Sequence, residues 1–209
     1  MKSFFIRYKK SRPFLRYVIK PLLFLWLSAA AIDLTWGIIE QDLGPDPHET
    51  LLHTTGLWAL NALMVTLSVT PVATWLSWPL LMTVRRMTGL FVFFYSSFHL
   101  WIFVQFVTNF DWSLIIEEII KRPYITIGFI AWLLLIPLAI TSTNAMIRKL
   151  GKNWKKLHKS VYLIAILGVW HFTWQVKLDL NEPLFYILVL IIMLGWRDFE
   201  KYRLKRKHS

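Results

Sequence analysis

The sequence predicts an all-α membrane protein, a six-helix transmembrane bundle with both termini cytoplasmic. Three observations predict it. The chain is 56% hydrophobic and only 17% charged over 209 residues, with 12 Trp and 15 Phe, whereas a soluble domain sets a smaller core against a larger charged surface. The apolar residues gather into runs at about 17–38, 51–70, 89–108, 123–141, 160–177 and 183–196, separated by short polar stretches. The charges are segregated between alternate stretches.

Taken in order, the first run follows basic residues and imitates a secretory signal in "PLLFLWLSAAA". Its apolar character continues to Ile39, interrupted only by Asp33, so a retained helix is expected. The second to fifth runs reach or approach the roughly 20 residues a bilayer-spanning helix needs. The sixth is short, and charge decides it. With a cytoplasmic N-terminus, every Lys and Arg except Lys121, Arg122 and Lys177 falls inside, and every acid except Asp198 and Glu200 falls outside. That is the bias which orients membrane proteins. Without a sixth span the tail "RDFEKYRLKRKHS" would lie outside and break the pattern. The expected organisation is a basic cytoplasmic segment (1–16), the transmembrane bundle (17–196) and a basic cytoplasmic tail (197–209). No internal repeat or low-complexity linker is evident.

The net charge of +12 does not point to nucleic acid, because the basic residues occupy the segments that orientation requires and no binding motif accompanies them. With no cysteine, thiol chemistry, Cys-attached heme and cysteine-ligated iron–sulfur clusters are excluded. No Gly-x-Gly occurs, so the chain has neither a dinucleotide fingerprint nor a phosphate loop. No acid or lysine lies near the middle of a run, which argues against an ion pump.

The ionisable residues left inside the runs are histidines. His99, in "FVFFYSSFHLWIFVQF", and His171, in "ILGVWHFTWQV", lie at matching depths on two helices of the same direction, given a rise of about 1.5 Å per residue. One such histidine is readily explained as a neutral ring hydrogen-bonded across helices. Two at one level form the axial ligand set of a b-type heme. His158, thirteen residues before His171, borders the fifth run in "RKLGKNWKKLH" and is either an interfacial residue or the ligand of a second, inner cofactor. His53, at the start of the second run, is a competing outer ligand or a residue with a structural or substrate-side role. His48 and His208 are expected to be solvated.

The stretches "RPYITIGFIAW", "TSTNAMIRKLGKNWKKLH", "SVYLIAILGVWH", "TGLWALNALMVTLSVTP" and "RRMTGLFVFFYSSFHL" resemble the heme-binding membrane subunits of bacterial methionine sulfoxide reductase systems, the MsrQ (formerly YedZ) family. The likeness runs from about Leu22 to Arg197. That family is similar to the ferric-reductase-like transmembrane domain of NADPH oxidases and ferric reductases. The resemblance implies a multi-pass b-type cytochrome of the bacterial inner membrane with one or two hemes b, and FMN as a further cofactor. It implies a partner, the periplasmic molybdenum-containing catalytic subunit MsrP, which repairs oxidised methionines, and an electron-transfer subunit rather than a complete enzyme. His99, His158 and His171 fall on the family's heme-associated positions, and His53 on its "HxTG" element. The oxidase relatives carry two histidines on each of two helices. Here Arg85 and Arg86 stand where the second histidine of the third span would be. They cannot ligate iron, but suit heme propionates or the membrane surface. A quinol and a cytoplasmic flavin reductase both remain open as electron donors. The competing readings are a membrane ferric or cupric reductase and a cofactor-free anchor for a partner.

Overall fold

A computed structural model describes residues 12–176 and 180–207. Lys177, at the end of the fifth run, and His208 lie outside the described residues. The described chain is helical throughout, with short connections. Its helices are α1 (Lys20–Glu40), α2 (Pro47–Trp75), α3 (Arg85–Ile102), α4 (Trp112–Lys121), α5 (Pro123–Ile140), α6 (Asn144–Leu150), α7 (Lys152–Leu157), α8 (Val161–Gln175) and α9 (Asn181–Lys207). A π-turn (Leu15–Ile19) leads into α1 and another (Phe103–Val107) extends α3. Two 3-10 turns, Pro79–Val84 and His158–Ser160, lead into α3 and α8.

Among the described residues, four helical stretches are long and apolar enough to cross a membrane: Arg12–Glu40, Pro47–Trp75, Pro79–Val107 and Pro123–Ile140. They contain the first four apolar runs. The fifth and sixth runs form helices of other proportions. α8 has 15 residues, because the 3-10 turn takes up its start. α9 has 27 residues, but its apolar part passes directly into the charged tail.

Two helix hairpins form the centre: α3 packs most extensively on α2, and α8 on α5. α9 lies against α2 and α8, and α1 against α2. The core joins both hairpins through Leu60, Leu63, Val92, Leu135, Ile164 and Val169. Hydrocarbon is as apolar as leucine, so close packing and interhelical hydrogen bonds must hold such a bundle. Small residues permit the approach: Ala62 and Ala165 are fully buried. Hydrogen bonds between helices add to this packing, among them three made by aromatic side chains. Tyr95 donates to the Leu27 carbonyl at 2.5 Å, the Trp132 indole to Ser97 at 3.0 Å, and Tyr186 to Asn61 at 2.8 Å.

The loops hold elements that the apolar runs do not announce. α4 begins on an Asp111 cap, whose carboxylate accepts from Ser113 and Leu114 N–H groups, the usual way of satisfying a helix start. α6 is capped by Thr143 in the same way. α6 and α7 meet at Gly151, whose φ of +51° is a backbone conformation glycine adopts at no steric cost.

Candidate functional site

His99 sits one turn before the end of α3 and His171 one turn before the end of α8. The structure brings them together: their ring centres are 6.2 Å apart, with planes at 83°. Each ring is tied to the opening turns of its own hairpin's other helix. The Nδ1 of His99 is 3.0 Å from the Leu52 carbonyl on α2, and the Nδ1 of His171 is 2.7 Å from the Tyr124 carbonyl on α5. A carbonyl only accepts, so Nδ1 carries the proton in both rings and Nε2 presents its lone pair. Among the described residues neither Nε2 has a hydrogen-bond partner. Neither is walled in, since among the described residues the one enclosed side-chain polar atom without a partner is the Trp78 indole nitrogen.

Two glycines make room for the rings. A Cβ at Gly56 would lie 3.2 Å from the Cε1 of His99, and one at Gly128 only 2.7 Å from the Nδ1 of His171. Gly56 follows Leu52 by one helical turn, and Gly128 follows Tyr124 by the same turn. Carbonyl and histidine are 47 residues apart in both hairpins. The two halves of the site therefore repeat one pattern of carbonyl, glycine and histidine, although their sequences show no repeat. By the same register Arg86 occupies, ahead of His99, the place that His158 occupies ahead of His171.

These residues fit a bis-histidine heme. An imidazole nitrogen ligates a metal at about 2 Å and its ring centre lies roughly 1 Å further back, so rings on opposite faces of one ion have centres about 6 Å apart. A backbone acceptor on the far nitrogen is the usual support of a ligating histidine.

The other sequence-predicted residues lie elsewhere. His158 is at the opposite end of the bundle, stacked on Trp154 with ring centres 4.0 Å apart. Its Nε2 is 3.0 Å from the Thr141 hydroxyl, which itself donates to the Pro137 carbonyl. The Trp154 indole donates to the Thr141 carbonyl at 3.0 Å, so one residue at the end of α5 holds both rings. Burial, and then the Arg85 guanidinium, hold His158 below the ordinary histidine pKa. Arg86 donates to the Asn144 side chain at 3.0 Å. His53 is half-exposed on another face of α2, 4.0 Å from Glu182, and does not join the histidine pair. His48 stacks on Phe106, ring centres 4.6 Å apart.

Sequence reasoning did not find Gly56, Gly128 or the two carbonyls. The signal that could have found them is the shared spacing from glycine to histidine in "HTTGLW…SSFHL" and "YITIGF…GVWH".

The profile of the family described as "Ferric reductase like transmembrane component" matches residues 55–169, a stretch that contains Gly56, His99 and Gly128 and ends two residues before His171. Curated relatives are named "Protein-methionine-sulfoxide reductase heme-binding subunit MsrQ". The chain is 46% identical to that of Xanthomonas campestris pv. campestris over 83% of each chain. Identity is 48% to that of Xanthomonas euvesicatoria pv. vesicatoria, over 82% of this chain and 78% of the relative. It is 44% to that of Azospira oryzae, over 89% and 81%. No solved structure matches the chain. The chain thus belongs to the ferric-reductase-like transmembrane family and to its heme-binding MsrQ subunits of methionine sulfoxide reductase systems.

Proposed function

We propose that this protein is an electron-transfer cytochrome of the bacterial inner membrane, supplying a periplasmic molybdenum-containing methionine sulfoxide reductase (MsrP). The observation that carries the reading is the His99–His171 pair, 6.2 Å between ring centres with each Nδ1 on a backbone carbonyl. Heme b would supply a one-electron carrier there. His99 and His171 would hold it from opposite faces, in the tautomer that Leu52 and Tyr124 impose. Both rings are partly buried beside the apolar core. Six spans with both termini cytoplasmic follow from the charge bias, which places the histidine pair toward the periplasm, where a partner could draw electrons from it.

Electrons enter at the other end. His158 lies there with Arg85, Arg86 and the lysines of α7, a cationic field suited to an anionic cofactor group or a negatively charged donor. The chain has no nicotinamide-binding motif, so that donor is a quinol or a separate flavin reductase. FMN belongs to the reading only by resemblance, and its fluorescence after denaturation of the purified protein tests it.

The visible spectrum tests the core of the proposal. Purified protein should show a low-spin b-type spectrum, and His99→Ala or His171→Ala should each remove most of it, while His48→Ala should not. A colourless wild type means an anchor without heme. A heme protein that reduces ferric chelates but not MsrP means a metalloreductase.

A further inference from the structure

The two halves of the histidine site can be compared position by position. Leu52, Gly56 and His99 stand to one another as Tyr124, Gly128 and His171 do, and one constant offset carries each onto its counterpart. The same offset carries Thr55 onto Ile127. One half of the site therefore has a hydroxyl where the other has hydrocarbon. Thr55 is fully buried. A hydroxyl has one proton to give, and the nearest acceptor for it is the Leu51 carbonyl one turn back, at 2.7 Å, with the Leu52 carbonyl at 3.1 Å. Such back-bonding within a helix is common, and Thr66 does the same at Ala62. Thr55 differs in what meets the lone pairs left over: its oxygen is 3.4 Å from the Nδ1 of His99. The Leu52 carbonyl, 3.0 Å away, fixes a proton on that nitrogen. Thr55 is thus a second, longer acceptor for the same N–H, in a three-centre bond. Among the described residues the Nδ1 of His171 has one acceptor, the Tyr124 carbonyl, at the shorter distance of 2.7 Å. The half with the longer carbonyl bond is the half with the hydroxyl.

We propose that Thr55 is a positioning residue for the electron carrier: its hydroxyl steadies the His99 ring, makes the free Nε2 a stronger ligand and so lowers the reduction potential of a heme held there. The inference rests on the heme reading above. An acceptor on the far N–H of a ligating imidazole raises the basicity of the ligating nitrogen. The ferric ion carries one more positive charge than the ferrous ion and gains more from that basicity. Hydrogen bonding to the axial ligand is accordingly one of the levers by which a protein sets a heme potential. A lower potential makes the reduced carrier a stronger donor to whatever takes the electron. The contact is long and shared, so its effect is modest. Loss of the hydroxyl should change the oxidised-to-reduced ratio at a fixed potential about threefold in favour of the reduced form, about 30 mV for one electron.

Equilibrium redox titration of the purified full-length protein, followed at the heme band, tests the proposal. Two substitutions separate the hydroxyl from the shape of the side chain. Thr55→Val keeps the shape and loses the hydroxyl, and should be reduced at a higher potential by the threefold ratio given above. Thr55→Ser keeps the hydroxyl and loses a methyl group, and should titrate as the wild type does. The low-spin electron paramagnetic resonance signal of the oxidised protein, which reports the ligand field of the two imidazoles, should move in Thr55→Val and hold in Thr55→Ser. Should Thr55→Val fail to accumulate, Thr55→Ala takes its place with the same expected shift. A wild-type potential in the variant without the hydroxyl overturns the proposal. So does a shift in Thr55→Ser as large as in Thr55→Val, which would show packing alone. A colourless wild type removes the heme reading and this inference with it, whereas a coloured Thr55→Val at the wild-type potential removes this inference alone.

Discussion

Gly128 shows how little freedom the histidine site has. A methyl group there would lie 2.7 Å from the Nδ1 and 2.9 Å from the Cε1 of His171, closer than nonbonded atoms come. Gly128→Ala must therefore rotate the ring or part α5 from α8, and overpacking of this kind costs about 1–3 kcal/mol. We expect it to break the bond to the Tyr124 carbonyl and to lower the heme-to-protein ratio, measured by pyridine hemochrome against protein. Gly56→Ala, whose added atom would sit 3.2 Å from the His99 ring, should lower the ratio less. Equal, full heme content in both variants would refute this account. The histidines themselves were legible in the sequence, because an imidazole in an apolar run asks for a reason. The glycines were not, because a glycine in a membrane helix has many uses and only the packing selects one.

At the scale of elements, the segment from α6 to α8 is fixed through Thr141. Thr141 accepts the Trp154 indole through its carbonyl and meets His158 through its hydroxyl. Trp154→Ala should loosen this segment without affecting the His99–His171 pair, so amide exchange should rise over residues 144–160 while the heme spectrum holds. His158 adds a pH dependence. Its folded pKa lies below the ordinary value of 6.5, so its burial costs nothing while the ring is neutral. As pH falls below about 6.5 the unfolded segment takes up the proton first, and the stability of the segment declines through the folded pKa. Amide exchange over residues 144–160, measured against pH, should show this decline in the wild type and a smaller one in His158→Gln. The main spans were legible because a bilayer demands long apolar helices. α4, α6 and α7 were not, because they lie in loops where capping, not hydropathy, sets the boundaries. Their acids also read differently in three dimensions. Glu117 pairs with Lys121 and Glu118 with Arg122 within the helix, so α4 presents less free negative charge than "DWSLIIEEIIKR" suggests. The sequence holds two outer acidic stretches, Glu40 to Glu49 and Asp111 to Glu118, and we propose the first as the stronger candidate to meet a partner.

The sequence carries no dinucleotide-binding motif. Purified protein should not reduce its own heme with NADPH unless a flavoenzyme is supplied, and a stopped-flow trace at the heme band checks this. Reduction by NADPH alone would contradict the electron route proposed above. At this scale an all-helical chain with apolar helices long enough to cross a membrane was legible from hydropathy, and matched depth pointed to the meeting of His99 with His171. The pairing of α2 with α3 and of α5 with α8 was not, since hydropathy says that helices exist but not which faces touch.

That pairing has a consequence for assembly. α3 and α8 each pack on a partner within their own hairpin and touch each other sparsely, yet each contributes one of the two facing rings. Iron held between those rings would act as a rivet between two preformed halves. The chain should then tolerate a break between them, in the turn at 108–111. Coexpressed fragments ending and beginning there should reassemble into a coloured complex when heme is plentiful, and separate in detergent when heme synthesis is blocked.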